Sequence, residues 1–278
     1  MPAKLTDSGT APTGSDVVGR HALHGSSSGR RDPILPPESF RDEHAAATRL
    51  KSILTRVGGY LSSHTVHSLN ACLNYLEVGR WIREKGYRPN HVFSKKQQFW
   101  NLIGQEIGGR KVLYLEFGVW QGNATRAVAK QLSHPEAMLH GFDSFKGLPE
   151  RWNFDTDEGC FSTGGQLPHI DDPRVHFHEG WFEDTLPAFR LPPHDVLLIN
   201  CDADLYSSTM FVLNQLRAAI APGTYLFFDE FSDRNHELRA FDEFLTRTKT
   251  NFHLLAATRA FDKVLFRCVE GTPPASGR

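Results

Sequence analysis

The sequence predicts an α/β fold, in which a mostly parallel sheet is covered by helices on both faces. Beyond Lys111, short apolar runs alternate with helical segments, which is typical of such a sheet. The last two runs lie close together, separated by the short turn sequence RAFD, so one of them is expected to be antiparallel. The predicted strands are residues 111–117, 138–143, 174–180, 195–201, 223–229, 252–258 and 263–268.

Helical periodicity dominates residues 38–107, where apolar side chains recur three and four positions apart. The third helix of this region is expected to have Ser94 as its N-cap and to end at Gly108. Within the α/β region, further helices are predicted at 123–133, 207–221 and 235–248.

The two ends of the chain differ in composition from the rest. Residues 1–36 and 271–278 are rich in Gly, Ser, Thr, Ala and Pro, and such segments bury too little apolar surface to order themselves. We therefore predict a disordered N-terminal segment at 1–36, a helical extension or lid at 37–107, an α/β domain at 108–270 and a disordered tail at 271–278.

Composition excludes several classes of protein. The 278 residues carry 31 Lys and Arg against 32 Asp and Glu, whereas nucleic-acid and membrane-surface binders need a basic excess. No apolar stretch approaches the ~20 residues that span a bilayer. The four cysteines form no C-x-x-C pair, so neither a zinc site nor a redox motif is indicated. This cysteine usage predicts a reducing, cytoplasmic compartment.

Acidic residues follow five of the predicted strands, at the point where each strand ends. Ligands of open parallel sheets bind beyond the carboxyl ends of the strands, so these acids are expected to face one site. Their recurrence at one edge of the sheet indicates a functional site. The acids concerned are Glu116, Asp143, Glu179, Asp202, Asp204, Asp229 and Glu230.

The first strand is followed by the pattern E-x-G-x-x-x-G, formed by Glu116, Gly118 and Gly122. It lacks the G-x-G-x-x-G of dinucleotide binders, which argues against a nicotinamide cofactor. Asp143, about 25 residues on, is well placed to accept the hydroxyls of a ribose. Together these residues indicate a nucleoside without phosphates and point to S-adenosylmethionine. The alternative is that the glycines serve only the strand-to-helix turn.

Two aromatic residues, Trp181 and Phe182, follow the third strand. They could present an aromatic face to an adenine ring, or they could belong to the core.

Three acids at the ends of neighbouring strands, Asp202, Asp229 and Glu230, could converge on one point. Carboxylates so placed repel one another unless a cation neutralises them, and hard oxygen ligands select Mg²⁺ or a similar ion. The alternative is that Asp204 caps the helix predicted at 207–221 and that Asp229 and Glu230 lie in a solvated loop.

Five motifs in this order, LEFGVWQGNAT, GFDSFKGLPE, GWFEDTLP, DADLYSST and FFDEF, resemble the TylF-like macrocin O-methyltransferase family of class I methyltransferases. The resemblance covers about residues 110–250. It implies a Rossmann-like, seven-stranded sheet with an antiparallel last hairpin, and methyl transfer from S-adenosylmethionine to a hydroxyl of a natural product, on a sugar or an aromatic part. Residues around Phe161 to Pro168 resemble a mobile lid.

The resemblance also implies site residues. Asp202, Asp229 and Glu230 match acids that hold a divalent ion, usually Mg²⁺, and Asp202 is the expected catalytic residue. The family commonly has aspartate and tyrosine where this chain has Glu230 and Phe231. The expected cofactor-binding residues are Glu116, Gly118, Trp120, Gly122, Asp143, Ser144, Glu179, Gly180, Trp181 and Phe182.

Two rival functions remain open at this point. One is a non-catalytic nucleoside-binding protein of the same fold, and the other is a metal-independent methyltransferase in which the acids are structural. The expected partner is a small-molecule hydroxyl acceptor, with neither nucleic acid nor membrane. The helices before the α/β domain could pack on it or on a second copy, which leaves a homo-oligomer open.

Overall fold

The computed structural model describes residues 38–270, with side chains from residue 47 onward. The disorder predicted for 1–36 and 271–278 therefore lies outside the described residues. The chain divides at Gly59 into two units. The described part of the first unit is one helix, α1, Glu38–Gly58. The second unit contains the sheet and the other helices.

The described residues form one sheet of eight strands, in the order β1-β7-β8-β6-β5-β2-β3-β4. Strand β8 pairs antiparallel with both of its neighbours, and all other pairs are parallel. The predicted parallel sheet with an antiparallel last hairpin is confirmed. The strands are β1 His91–Phe93, β2 Val112–Phe117, β3 Met138–Asp143, β4 Val175–Glu179, β5 Val196–Cys201, β6 Tyr225–Phe228, β7 Asn251–Thr258 and β8 Val264–Val269.

The prediction of seven strands is wrong by one, because β1 was missed. This strand has only three residues and no alternating pattern that would distinguish it from a loop. It is specified by its neighbour, since His91 to Phe93 pair in parallel with Ala256 to Thr258 of β7. The consequence for the site is that the chain leaving β1 emerges at the carboxyl edge of the sheet.

The predicted helices are present, with shifted ends. The third one begins at Lys96 with Lys95 as its N-cap, so Ser94 is not the cap. The Gln98 side chain instead accepts hydrogen bonds from the backbone N–H groups of Ser94 and Lys95. The cap that ends this helix is Gly108, as predicted. The remaining helices are α2 Ser63–Lys85, α3 Lys96–Ile107, α4 Asn123–Ala129, α5 Phe182–Thr185, α6 Tyr206–Leu216 and α7 Glu237–Thr248.

Helices cover the sheet on both faces, as the unbroken apolar strands predict. Alternate residues of β2 point into two separate cores: Leu113 and Phe117 into one, Val112 and Tyr114 into the other. All six residues of β2 are buried, and so are all six of β5. A strand buried on both faces presents polar groups only at its ends. None of the described helices combines the length and the apolar character that a bilayer crossing requires.

The C-terminal part of α2 is anchored by Trp81, which is 4% exposed. Its indole N–H donates a hydrogen bond to Asp242 of α7 at 2.8 Å. Its ring meets Phe231 edge-on, with 5.5 Å between the ring centroids. Since Phe231 directly follows Glu230, this packing supports the loop that carries two of the predicted site acids.

Candidate active site

A cavity of about 780 Å³ opens at the carboxyl edge of the sheet, within the size range of small-molecule sites. Strands β2, β3, β5 and β6, or the loops that follow them, all contribute to its lining. Among the described residues, Lys96 is the one cationic side chain that lines it. The acidic residues of the lining are Glu116, Asp143, Glu150, Glu183, Asp202, Asp204, Asp229 and Glu230.

Most of the residues predicted for the site line this one cavity, but three do not. Gly122 faces Pro168, Glu179 is exposed, and Gly180 packs against Thr185. Their assignment as cofactor contacts has no support in this arrangement. The predicted residues that do line the cavity are Glu116, Gly118, Trp120, Asp143, Ser144, Trp181, Phe182, Asp202, Asp229 and Glu230.

The two glycines after β2 are required for different reasons. Gly118 has a φ of +90°, and a Cβ added there would lie 1.8 Å from the carbonyl oxygen of Asp202. Gly122 has a φ of +72°, and its added Cβ would meet the Pro168 side chain at 3.0 Å. Both positions favour glycine because L side chains rarely adopt such φ values. The backbone therefore accounts for both glycines without a ligand, as the alternative interpretation proposed.

Asp143 organises the loop between β2 and α4. Its Oδ2 accepts hydrogen bonds from the backbone N–H groups of Val119 and Trp120, each at 2.8 Å. Its Oδ1 accepts one from the N–H of Phe145 at 2.7 Å. A carboxylate has about four acceptor sites, so roughly one remains for a ribose hydroxyl. The role of Asp143 toward a ribose stays a prediction.

Glu116 is buried at the end of β2, where it accepts a hydrogen bond from the Thr125 hydroxyl. Burial raises the pKa of its carboxyl to about 8, although the Thr125 hydrogen bond acts in the opposite direction. A cationic ligand group in the cavity would favour the ionised form of Glu116 and would be bound more tightly in return.

Three acids that follow β5 and β6 have raised pKa values for the same reason. Burial raises the pKa of Asp202 to about 6, that of Glu230 to about 7 and that of Asp204 to about 8. Repulsion by neighbouring carboxylates adds to each shift. Asp204 does not cap the following helix, since the N-cap of α6 is Leu205 and no side chain caps it. The capping alternative for Asp204 is therefore wrong.

Lys96 is the cationic residue of this site that the sequence analysis missed, and it also did not predict the lining acids Glu150 and Glu183. The Lys96 Nζ donates a hydrogen bond to Asp202 Oδ2 at 3.0 Å and lies 3.0 Å from Asp229 Oδ1. Burial would lower the pKa of Lys96, but the carboxylates of Asp202 and Asp229 outweigh burial and raise it above its usual value. A signal was present, because cations are disfavoured in the first turn of a helix and Lys96 is the first residue of α3.

The residues present do not fit the predicted magnesium ion. Within the described part of the chain, no three His, Cys, Asp or Glu side chains form a group that could hold a metal. Asp229 Oδ1 is buried without a hydrogen bond, which would suit a metal, but two ammonium groups face it. Lys96 Nζ lies at 3.0 Å and Lys263 Nζ at 3.4 Å. A divalent ion there would have to displace Lys96 from both carboxylates.

Two aromatic residues stand at the mouth of the cavity. Phe161 lines it, is 45% exposed, and meets the Trp120 ring edge-on with 6.0 Å between centroids. Both have positive φ values, which are uncommon for bulky residues and are concentrated near functional sites. Phe161 opens the segment that resembles a lid, and its mobility stays a prediction.

Comparison with known proteins assigns this chain to a family. The family model described as "Macrocin-O-methyltransferase (TylF)" matches residues 97–258, which is more than half of the chain. A solved structure, that of the O-methyltransferase NovP, is 21% identical with a TM-score of 0.45, covering 73% of this chain and 100% of that chain.

Two curated relatives are similar in sequence. The 8-demethyl-8-(2,3-dimethoxy-alpha-L-rhamnosyl)-tetracenomycin-C 4'-O-methyltransferase of Streptomyces olivaceus is 29% identical over 42% of this chain and 52% of its own length. The mycinamicin III 3''-O-methyltransferase of Micromonospora griseorubida is 28% identical over 42% of this chain and 54% of its own length. The match spans about half the length of these curated relatives. From the family match over residues 97–258, the chain belongs to the TylF macrocin-O-methyltransferase family.

Proposed function

We propose that this protein transfers the methyl group of S-adenosylmethionine to a hydroxyl of a small molecule of natural-product biosynthesis. The observation that carries the proposal is that one cavity is lined both by Glu116 at the end of β2 with Gly118 of the following loop, and by the acid Asp202 after β5. A methyl donor and a proton acceptor can therefore lie side by side. We propose residues 108–270 as the catalytic domain, to which Lys96 of the preceding helix contributes.

The lining of the cavity fits the chemistry of S-adenosylmethionine. Eight carboxylic acids face a single ammonium group, so the cavity favours cationic ligands. When bound, S-adenosylmethionine supplies a methyl group on a cationic sulfur, whose bond to carbon breaks with its electron pair as the acceptor oxygen bonds to that carbon. Trp181 and Phe182 also line the cavity and could offer aromatic faces to an adenine ring.

In this proposal Asp202 accepts the proton of the acceptor hydroxyl. Its raised pKa of about 6 leaves it ionised at neutral pH while making it a stronger base than an ordinary aspartate. Lys96 holds Asp202 Oδ2 in place through its hydrogen bond. The backbone of Asp202 is positioned in turn by its N–H, which donates to the Phe117 carbonyl at 2.9 Å. Most of the rate gain would come from this positioning and from charge stabilisation.

A sugar hydroxyl is the acceptor class to test first. The substrate in the name of the Streptomyces olivaceus relative carries a rhamnosyl group, and the name gives 4' as the position that is methylated. No magnesium ion takes part in this proposal, because the residues at the predicted metal site do not fit one. The cytoplasm remains the predicted compartment, and the unpaired state of all four cysteines supports it.

The test combines a binding and a turnover measurement. Calorimetric titration with S-adenosylhomocysteine should show binding to the wild type and to Asp202→Asn. Incubation with S-adenosylmethionine and a panel of glycosylated and aromatic alcohols should give a methylated product by mass spectrometry with the wild type. Asp202→Asn should abolish turnover, whereas Asp171→Asn, at an exposed acid outside the cavity, should leave it unchanged.

The outcomes separate the rival functions. Nucleoside binding without turnover on any acceptor would favour the non-catalytic nucleoside-binding protein. Undiminished turnover by Asp202→Asn would contradict the base assigned to Asp202. Absence of nucleoside binding would contradict the proposal as a whole.

A further inference from the structure

We infer that the Lys96 ammonium is the resident cation of the Asp202–Asp229 acid pair and takes the place of a divalent metal ion, so that methyl transfer by this protein needs no metal. The inference rests on the proposed function for its catalytic consequence, but the charge arrangement itself can be tested by binding alone.

The geometry makes a lysine and a bridging metal mutually exclusive. Lys96 Nζ lies 3.0 Å from Asp202 Oδ2 and 3.0 Å from Asp229 Oδ1. A Mg²⁺ ion bridging the same two oxygens would lie about 2.1 Å from each and thus within the space of the ammonium group. An ammonium group has three donors and no acceptor, so it cannot become a metal ligand. It would also repel the dication strongly at that separation.

The fold delivers Lys96 to this place by a defined route. Parallel pairing of β1 with β7 brings the start of α3 to the carboxyl edge of the sheet. The Lys96 ammonium also lies over the Phe227 ring, with its Nζ 5.8 Å from the ring centroid. The first turn of a helix disfavours a cation, so a lysine is stable there only because the two carboxylates compensate.

A second ammonium group completes the neutralisation of Asp229. Lys263, in the turn between β7 and β8, lies with its Nζ 3.4 Å from Asp229 Oδ1 and donates to the Asp229 carbonyl oxygen at 3.2 Å. Lys263 is shared with Asp262, whose Oδ2 also lies 3.4 Å from its Nζ. Asp229 thus has one ammonium group at 3.0 Å and a second at 3.4 Å, and both oppose the approach of a dication.

Lys96 lies just outside the part of the chain that the family model matches. The matched region begins at residue 97, one residue after Lys96, and includes both acids of the pair. The family match therefore covers the acids but not the lysine that holds them. Lys96 acts as a positioning residue, since it reaches the reaction through the carboxylates that it holds.

The first arm of the test measures metal binding without turnover. MgCl₂ is titrated calorimetrically into the wild type, Lys96→Met, Lys96→Arg and Lys95→Met, each saturated with S-adenosylhomocysteine. We expect no Mg²⁺ binding by the wild type, by Lys96→Arg or by Lys95→Met, an adjacent exposed lysine that carries the same charge change. Lys96→Met should gain Mg²⁺ binding, because its acid pair is left without its cation.

The second arm measures turnover with Mg²⁺ and with a chelator. Wild-type turnover should be equal in both, and that of Lys96→Met should fall about tenfold or more in chelator and recover in part with Mg²⁺. If Lys96 were merely structural, Lys96→Met would not gain Mg²⁺ binding, and its turnover would not depend on Mg²⁺. Retained S-adenosylhomocysteine binding and a cooperative thermal unfolding transition show that each variant is folded.

Two results would overturn the inference. One is Mg²⁺ binding by the wild type together with loss of its turnover in chelator. The other is a Lys96→Met variant that neither binds Mg²⁺ nor changes in turnover. Failure of the wild type to turn over any acceptor would contradict the proposed function instead, and the binding arm would still decide where the cation lies.

Discussion

The carbonyl oxygen of Asp202 occupies the space that a side chain on Gly118 would need, with only 1.8 Å to the position of an added Cβ. The loop that follows β2 is thereby packed directly against the end of β5. In the proposed function, the loop after β2 contacts the methyl donor and the end of β5 supplies the base, Asp202. The N–H of Asp202 also donates a hydrogen bond to the carbonyl of Phe117, the residue before Gly118, at 2.9 Å. This bond keeps the two chain segments together.

Gly118→Ala should therefore damage both stability and the site. The methyl group must displace the backbone of Asp202, and alanine is strained at the φ of +90°. We expect a loss of about 2 kcal/mol or more in the free energy of unfolding, measured by urea denaturation, and weaker binding of S-adenosylhomocysteine. Gly109→Ala is the control, because nothing lies within 4 Å of its added Cβ. Equal stability of the two variants would contradict the packing described.

Asp143→Ala should loosen the loop that lies over the cavity. The substitution leaves the N–H groups of Val119, Trp120 and Phe145 without their shared acceptor. Hydrogen bonds to a charged group contribute about 1.5–3 kcal/mol each, so affinity for S-adenosylhomocysteine should fall about tenfold or more. The dissociation constant of S-adenosylhomocysteine is measured by calorimetry for this variant and for the control Asp171→Ala. An unchanged dissociation constant for Asp143→Ala would show that the loop keeps its shape without the carboxylate.

The stability of the protein should depend on pH through a stack of histidines at the β3–β4 edge. The His140 ring stacks on the rings of both His176 and His178, at 5.1 and 5.2 Å between centroids. Burial, with the two neighbouring histidines adding to it, lowers the pKa of His140 to about 4. The unfolded chain binds this proton near pH 6.5 and the folded one does not, so stability is lost as the pH falls from about 6.5 to about 4.

The measurement is urea denaturation of the wild type and His140→Phe between pH 7.5 and 5. The loss of stability on acidification should be smaller in the variant, by up to about 2 kcal/mol over this pH range, since phenylalanine does not titrate. Comparison of the two proteins is essential, because buried carboxyls with raised pKa values, such as Glu116, change stability in the opposite direction. Parallel curves for the two proteins would mean that His140 is protonated equally in both states.

Phe161→Ala should weaken acceptor binding without unfolding the protein. The ring is 45% exposed and lines the cavity, so its removal enlarges the mouth more than it disturbs the core. Loss of about 1 kcal/mol of apolar contact corresponds to a roughly fivefold rise in the KM of the acceptor. Steady-state kinetics with Phe154→Ala as control tests this, since Phe154 is 50% exposed and outside the cavity. A fall in kcat with unchanged KM would indicate a different role for the ring.

The sequence by itself was sufficient for the parts of this protein that are encoded locally. Short apolar runs identify seven of the eight strands, and the runs are almost wholly apolar in β2 and β5, because those strands are buried on both faces. Acids such as Asp202 and Asp229 stand out at the ends of those runs, and parallel strands end at one edge of the sheet. The order of five motifs indicated the family, which the family match confirms.

Only the tertiary structure decided how those acids are paired. Carboxylates of Asp202 and Asp229 predict a cation, yet spacing along the chain cannot tell whether that cation is a metal or a lysine 106 residues earlier. Strand β1, which carries Lys96 to the site, is too short to have a periodicity of its own and depends on pairing with β7. The need for glycine at position 118 also depends on strand pairing, because the pairing of β2 with β5 brings Asp202 against it. Charges and contacts between distant segments depend on distances in space, which a one-dimensional pattern does not contain.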